Sequence, residues 1–153
     1  MGRTAHAAIG RLMLAPAARQ AAQRLGRRGA ILLSYSVVWG LYGYAQIASP
    51  APEQRGLEPL LALMPLDVWG SLWIATGIVA AVSAWLPQGW DWPGFPALQL
   101  IVLPWIGSNL ATWILGEFPR GWIAALVWGA ICVPVWVTAG WREAPRVKRV
   151  SNA

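Results

Sequence analysis

The chain contains few residues of the kinds that catalysis and metal binding require. Among its 153 residues are one cysteine, Cys132, one histidine, His6, and six acidic residues. A single cysteine excludes an intrachain disulfide and a thiolate metal site. The acidic residues are scattered through loops and helix caps, and no glycine-rich phosphate loop follows a strand. We therefore expect no catalytic residue, no metal site and no cofactor, and we expect that the protein is not an enzyme.

Charge is also scarce, at 12% of residues, against about 25% in a typical soluble domain. Four segments lack Asp, Glu, Lys, Arg and His, namely 30–48, 68–86, 97–115 and 122–141. At ~1.5 Å per residue, a helix of that length crosses the hydrocarbon core of a bilayer, which is about 30 Å thick. A soluble bundle would show a polar face at helical spacing, and these segments show none. The sequence predicts an all-α, polytopic membrane protein with four transmembrane helices.

The positive charges predict the orientation. Of twelve Lys and Arg residues, six precede the first span and four follow the last. Positive residues beside spans stay on the cytoplasmic side, so we expect a basic cytoplasmic arm (1–28), a membrane domain (29–142) and a basic cytoplasmic tail (143–153). The chain would then be a multi-pass protein of the inner (cytoplasmic) membrane, and the loops 49–67 and 116–121 would lie outside.

The same distribution favours lipid over nucleic acid as the partner, because the inner leaflet is anionic. The expected lipid-phosphate anchors are Arg24, Arg27, Arg28, Arg142, Arg146, Lys148 and Arg149. The arm has a small apolar face that includes Leu14 and Leu25, so it is either an interfacial helix or a flexible solvated arm. Met13 is either an ordinary methionine or a second start site.

Small residues lie at helical spacing in three of the spans. Such residues let neighbouring backbones approach closely in lipid, where the hydrophobic drive between helices is absent. The positions predicted to mediate helix packing or oligomer contacts are Ser36, Gly40, Gly43, Gly77, Ala81, Ala125 and Gly129. We expect a homo-oligomer.

The third span is the most polar part of the predicted membrane domain. Pro104 interrupts it, and Ser108, Asn109 and Thr112 follow within two turns. In hydrocarbon these groups need partners inside the bundle or in water. They line a hydrated path or form a node between subunits, or else Asn109 bonds a neighbouring helix within one chain.

The connections between spans can also be interpreted. Glu58 followed by Pro59 predicts a short helix start in the first outer loop, and the short 116–121 segment predicts a hairpin that makes spans three and four antiparallel neighbours. Residues 87–96 predict a compact inner turn, in which Asp91 is a solvated turn aspartate. Seven tryptophans, including Trp69, fall at the rims of the spans as an aromatic belt. Trp39, Trp105, Trp128 and Trp136 fall deeper, where each indole N–H needs a partner.

Three stretches, 27–46, 65–85 and 118–142, carry the short motifs Arg-Gly, Trp-Gly and Pro-Arg-Gly. In layout and in these motifs they resemble a family of small four-helix, holin-like membrane proteins from phages of actinobacteria, coded near the lysis genes. The resemblance implies no catalytic residues. It implies a phage protein that oligomerises in the host inner membrane and permeabilises or depolarises it during host cell lysis, together with other proteins of the lysis cassette.

Two other functions compete with this one. The chain could be a non-pore membrane scaffold that docks a partner through its basic termini. A transporter or channel subunit is disfavoured, because such proteins generally need an ionisable group inside the membrane and no predicted span contains one.

Overall fold

The computed structural model describes the backbone of residues 2–50, 53–87 and 89–141, and side chains from residue 25 onward within those ranges. The described residues form helices and turns, without a strand. The helices are α1 (Gly2–Ala48), α2 (Glu58–Leu63), α3 (Leu66–Ala84), α4 (Gly94–Leu100), α5 (Val102–Ile114) and α6 (Gly121–Ala139).

Four helical segments in the described residues are long and apolar enough to cross a membrane. They are Leu25–Ala48, Leu66–Ala84, Gly94–Ile114 and Gly121–Ala139, the third being α4 and α5 together. The predicted all-helical fold with four candidate spans is confirmed at this level. Outward-facing side chains such as Leu41, Ile114 and Leu126 are more than 60% exposed. In water a surface of this kind would drive aggregation, whereas hydrocarbon solvates it.

Helix α1 changes direction at Gly26, where φ is 65° and ψ is −175°. A positive φ favours glycine, because a Cβ would clash with the backbone there. The backbone of the predicted basic arm before this break is helical, so the arm is not a coil. Its predicted apolar face and the side chain of Arg24 lie outside the described side chains.

Helices α1 and α3 pack antiparallel along a seam of small residues spaced seven apart. A Cβ built on Gly43 would lie 2.5 Å from the carbonyl oxygen of Gly70, and one built on Gly77 would lie 2.9 Å from that of Ser36. At the far end, a Cβ on Gly29 would lie 2.6 Å from the carbonyl oxygen of Ala84. The backbones touch at each of these points, so larger side chains would separate the helices.

The predicted interruption of the third span is present. Helix α4 ends at Leu100 and α5 begins at Val102, with Ile101 between them. Pro104 has no N–H to donate to the carbonyl of Leu100, which explains why the break falls one turn before it. The span itself begins at Gly94, so helix replaces the last part of the turn predicted over residues 87–96.

Two other predicted connections, the short helix in the first outer loop and the hairpin between spans three and four, are also found. Helix α2 begins at Glu58, with a proline in its first turn. Helices α5 and α6 are joined by a hairpin, and Gly121 packs directly against the carbonyl of Asn109. The antiparallel pairing of spans three and four is therefore confirmed. We refer to the side of the bundle that carries these two connections as the α2 end.

Candidate functional site

A buried ion pair closes the end of the bundle opposite α2. Arg28 Nε donates to Asp91 Oδ2 at 2.7 Å and Nη2 donates to Oδ1 at 3.2 Å. Nη1 donates to the carbonyl oxygens of Thr138, Ala139 and Trp141, at 3.2, 2.7 and 2.9 Å. We call this arrangement, the Arg28–Asp91 pair with these three carbonyls, the Arg28 clasp.

Three elements converge at the Arg28 clasp. Arg28 comes two residues after the break at Gly26, and Asp91 lies in the turn between α3 and α4. The carbonyls of Thr138 and Ala139 belong to the last turn of α6, where the helix dipole is negative, and that of Trp141 follows the end of the helix. The guanidinium carbon also lies 4.6 Å from the centre of the Phe95 ring. The start of the first span and the end of the last are thus held at the same end of the bundle.

The expectation that Asp91 is a solvated turn residue is wrong. Asp91 is 4% exposed and Arg28 is 9% exposed. Arg28, expected to anchor lipid phosphate, instead has its guanidinium turned into the bundle. The sequence did carry one signal, since Asp91 is the only acidic residue between Asp67 and Glu117.

The other predicted phosphate anchors are less fully placed. Arg27 is exposed beside the Arg28 clasp, which is compatible with a lipid contact. Arg142, Arg146, Lys148 and Arg149 lie outside the described residues.

Aromatic side chains fill the centre of the bundle. Trp73, on α3, is fully buried. Its ring centroid lies 4.7 to 5.5 Å from those of Trp39, Tyr42, Trp105 and Trp128. Most of these contacts are edge-to-face, the arrangement that the ring quadrupoles favour. Sequence reasoning assigned no role to Trp73, although it falls midway along the second span.

Most of the buried indoles have the partner that was expected. Trp39 Nε1 donates to the carbonyl of Leu98 at 3.1 Å, in the last turn of α4 where helical donors are missing. Trp105 Nε1 donates to the Tyr42 hydroxyl at 3.1 Å. Trp69 is 6% exposed and packs inside the bundle, whereas Trp136 is 67% exposed and faces outward.

Trp73 is the exception to this pairing. Its Nε1 is the one buried side-chain nitrogen or oxygen, among the described residues, for which no hydrogen-bond partner is found. An unpaired buried donor costs about 1–3 kcal/mol. Contact of its N–H with a neighbouring ring face offsets only part of that cost.

Two clefts lined by described residues open on the side of the bundle. One of about 440 Å³ lies between α1 and α6, and Trp73 forms its floor. Its other lining residues are Ser34, Tyr35, Val38, Trp39, Tyr42, Trp128 and Ile131. The second, of about 350 Å³, runs between α4 and α6 from Arg28 to Leu103.

The predicted polar lining is buried within one chain. Ser108, Asn109 and Thr112 are each less than 5% exposed. Ser108 Oγ donates to the carbonyl of Gly56 at 2.7 Å, and Asn109 Nδ2 donates to that of Trp105 at 2.8 Å. Thr112 Oγ1 bonds the carbonyls of its own helix. In the single chain Ser108 therefore holds the loop at the α2 end, whereas Asn109 bonds its own helix and not a neighbouring one as expected. None of the three groups faces an open path.

The predicted small-residue positions are buried in the bundle, half-buried or open to the surroundings. Ser36, Gly43 and Gly77 lie in the α1–α3 seam, and Ala125 is buried on α6. Ala81 is half-buried on α3. A Cβ on Gly40 or Gly129 would meet nothing within 4 Å. Gly29 was missed, although it stands seven residues before Ser36.

No group of three or more His, Cys, Asp and Glu residues that could hold a metal ion occurs among the residues with described positions. The residues with described side chains define a helical bundle with an aromatic core and one buried ion pair. No protein-family model matches the chain, and neither a curated protein nor a solved structure does.

Proposed function

We propose that the protein is a holin-like membrane protein. It assembles with further copies of itself in the inner membrane and permeabilises or depolarises that membrane during phage lysis. The observation that carries the proposal is the uncovered notch at Gly129 on the outer face of α6. Gly129 has open space around it, and the large side chains of Leu126 and Val133 stand exposed on the same helix. A glycine flanked by large residues accepts a side chain from a neighbouring helix.

The buried polar groups support a particular form of this function. Ser108, Asn109 and Thr112 are bonded inside one chain, so a single bundle offers no hydrated path. Water would instead cross between adjacent chains, along surfaces that assembly brings together. The protein would then act by accumulation and not as a channel built from one bundle.

A non-pore membrane scaffold is the second candidate, and the same internal bonding favours it. A bundle whose polar groups are satisfied within the chain is stable as a single copy and tolerated by the membrane. In that case the basic termini would dock a partner.

Regulated expression in a bacterial host separates the two candidates. A voltage-sensitive dye reports the membrane potential while the protein accumulates. We expect abrupt depolarisation and growth arrest from the wild-type chain and a delayed or absent response from Gly129→Leu. The matched control is Gly107→Leu on α5, because Gly107 also has no atom within 4 Å of a built Cβ but was not predicted to lie in an interface.

Cross-linking in membranes provides the second measurement. Gly129→Leu should reduce the oligomer ladder, and Gly107→Leu should leave it unchanged. Accumulation of the wild-type chain to high levels with no loss of potential would overturn the lysis proposal and favour the scaffold. An oligomer that both variants form equally well would remove this face of α6 from the contact.

A further inference from the structure

We propose that the cleft between α1 and α6, which we call the aromatic cleft, binds a neutral, planar, lipophilic molecule that carries a carbonyl acceptor, of the quinone class. This inference does not depend on the proposed lysis function. It rests on the lining of the aromatic cleft, on its depth in the bundle and on the unpaired N–H of Trp73.

The walls of the aromatic cleft favour a flat ring. Five of its eight lining residues are aromatic: Tyr35, Trp39, Tyr42, Trp73 and Trp128. They come from three helices, so the fold itself gathers them. Stacked and edge-to-face contacts between rings contribute beyond simple burial of area. A flexible acyl chain would gain none of this and would lose rotational freedom on entering.

The depth of the aromatic cleft favours a neutral ligand. Its residues lie midway along the candidate spans Leu25–Ala48, Leu66–Ala84 and Gly121–Ala139. None of its lining residues is charged, so a bound cation would lose its hydration with only ring faces, and no carboxylate, to offset the cost. Val38 at the mouth is 54% exposed, which places the entrance on the lipid-facing surface.

Trp73 specifies the polar part of the ligand. An indole nitrogen is a donor only, so its natural partner is a carbonyl oxygen. Trp73 is covered by the rings around it, and Tyr42 and Trp128 are the half-buried ones. A ligand oxygen reaches Trp73 Nε1 when the Trp128 ring turns aside, because Tyr42 is held by the hydrogen bond that its hydroxyl accepts from Trp105 Nε1. The hydrogen bond to the ligand then satisfies the buried donor that the fold leaves unpaired.

The test measures equilibrium binding to the full chain in lipid nanodiscs, with empty nanodiscs subtracted. The probes are a dimethylnaphthoquinone and dimethylnaphthalene, which share a ring system and differ in the two carbonyls. The methyl groups occupy the positions at which a quinone would alkylate the Cys132 thiol. We expect saturable binding of both probes, with the quinone bound about threefold to tenfold more tightly, as one net hydrogen bond predicts.

Three variants locate the site. Val38→Trp should block the mouth and abolish saturable binding of both probes. Val37→Trp is its matched control, because Val37 is equally exposed on α1 but does not line the aromatic cleft. Trp73→Phe keeps a ring and removes the N–H, so it should lower quinone affinity to that of the hydrocarbon and leave the hydrocarbon unaffected.

Three results would overturn the proposal. The first is the absence of saturable binding above empty nanodiscs. The second is equal loss of binding in Val37→Trp and Val38→Trp, which would place the probes elsewhere. The third is equal affinity of the two probes for the wild-type chain. That result would show that a hydrogen bond between Trp73 and the ligand carbonyl does not contribute to binding. Size-exclusion elution of each variant as a single species confirms that it is folded.

Discussion

Two ion pairs in the described part of the chain have nearly the same shortest distance and opposite environments. Arg28 Nε lies 2.7 Å from Asp91 Oδ2, and Arg55 Nε lies 2.8 Å from Glu53 Oε2. The side chains of the first pair are 11% and 6% exposed, and those of the second are 71% and 68% exposed. Arg28→Met and Arg55→Met therefore remove the same guanidinium group, in the first case from a buried site with several partners and in the second from an exposed pair.

The expected costs differ severalfold. Arg28→Met leaves the Asp91 carboxylate buried without its cation, and breaking a buried pair in this way costs about 3–5 kcal/mol. The three carbonyls at the end of α6 lose their charged donor in the same step, which places the estimate toward the upper end. Water screens the exposed pair, so Arg55→Met should change stability by about 0–1 kcal/mol.

The assay is reversible unfolding in mixed micelles, in which a denaturing detergent is titrated against a mild one and helicity is followed by circular dichroism. Asp91→Leu combined with Arg28→Met should be more stable than Arg28→Met alone, because the double variant buries no unpaired carboxylate. Equal destabilisation by Arg28→Met and Arg55→Met would refute the reasoning. So would a double variant that shows simple additivity.

Two further predictions follow from the packing and the topology. Gly43→Ala should cost about 1–3 kcal/mol in the same assay because its Cβ has no room, whereas Gly40→Ala, with open space, should stabilise α1 by about 0.5–1 kcal/mol. In a Cys132→Ala background, Glu117→Cys should react with an impermeant maleimide in intact cells, and Trp90→Cys should react only after the cells are permeabilised. The opposite labelling pattern would contradict the predicted orientation.

The candidate spans were predictable because each depends on local composition. A run of about twenty uncharged residues is long enough to cross a bilayer wherever it packs. The break near Pro104 and the helix start at Glu58 were predictable for the same reason, since proline acts on its own and adjacent residues.

The Arg28 clasp was not predictable in this way. Arg28 and Asp91 are 63 residues apart, and the carbonyls that complete the clasp come from a third element. An arginine before a span is usually interpreted as a lipid-phosphate contact, and an aspartate between two tryptophans as a solvated turn residue. Only the convergence of α1, the α3–α4 turn and α6 removes both side chains from solvent.

For the small residues, the sequence predicted which positions pack but not which helices they pack against. Gly43 and Gly77 were expected to pack, and they do, but the sequence did not predict that the helices that carry them, α1 and α3, pack against each other. The seven-residue spacing that includes Gly29 and Gly70 indicates an antiparallel seam once the two helices are known to be neighbours. Trp73 lay outside the predictions because its role depends on rings from three other helices.

The break at Gly26 separates the N-terminal helical segment from the first candidate span. An uninterrupted helix of 47 residues would be about 70 Å long at ~1.5 Å per residue, more than twice the width of the hydrocarbon layer. Because the helix turns at Gly26, two residues before Arg28, the segment ahead of it does not continue the axis of the first span. We therefore expect that this segment can be lengthened or fused to a tag while the contacts of Arg28 with Asp91 and α6 are kept.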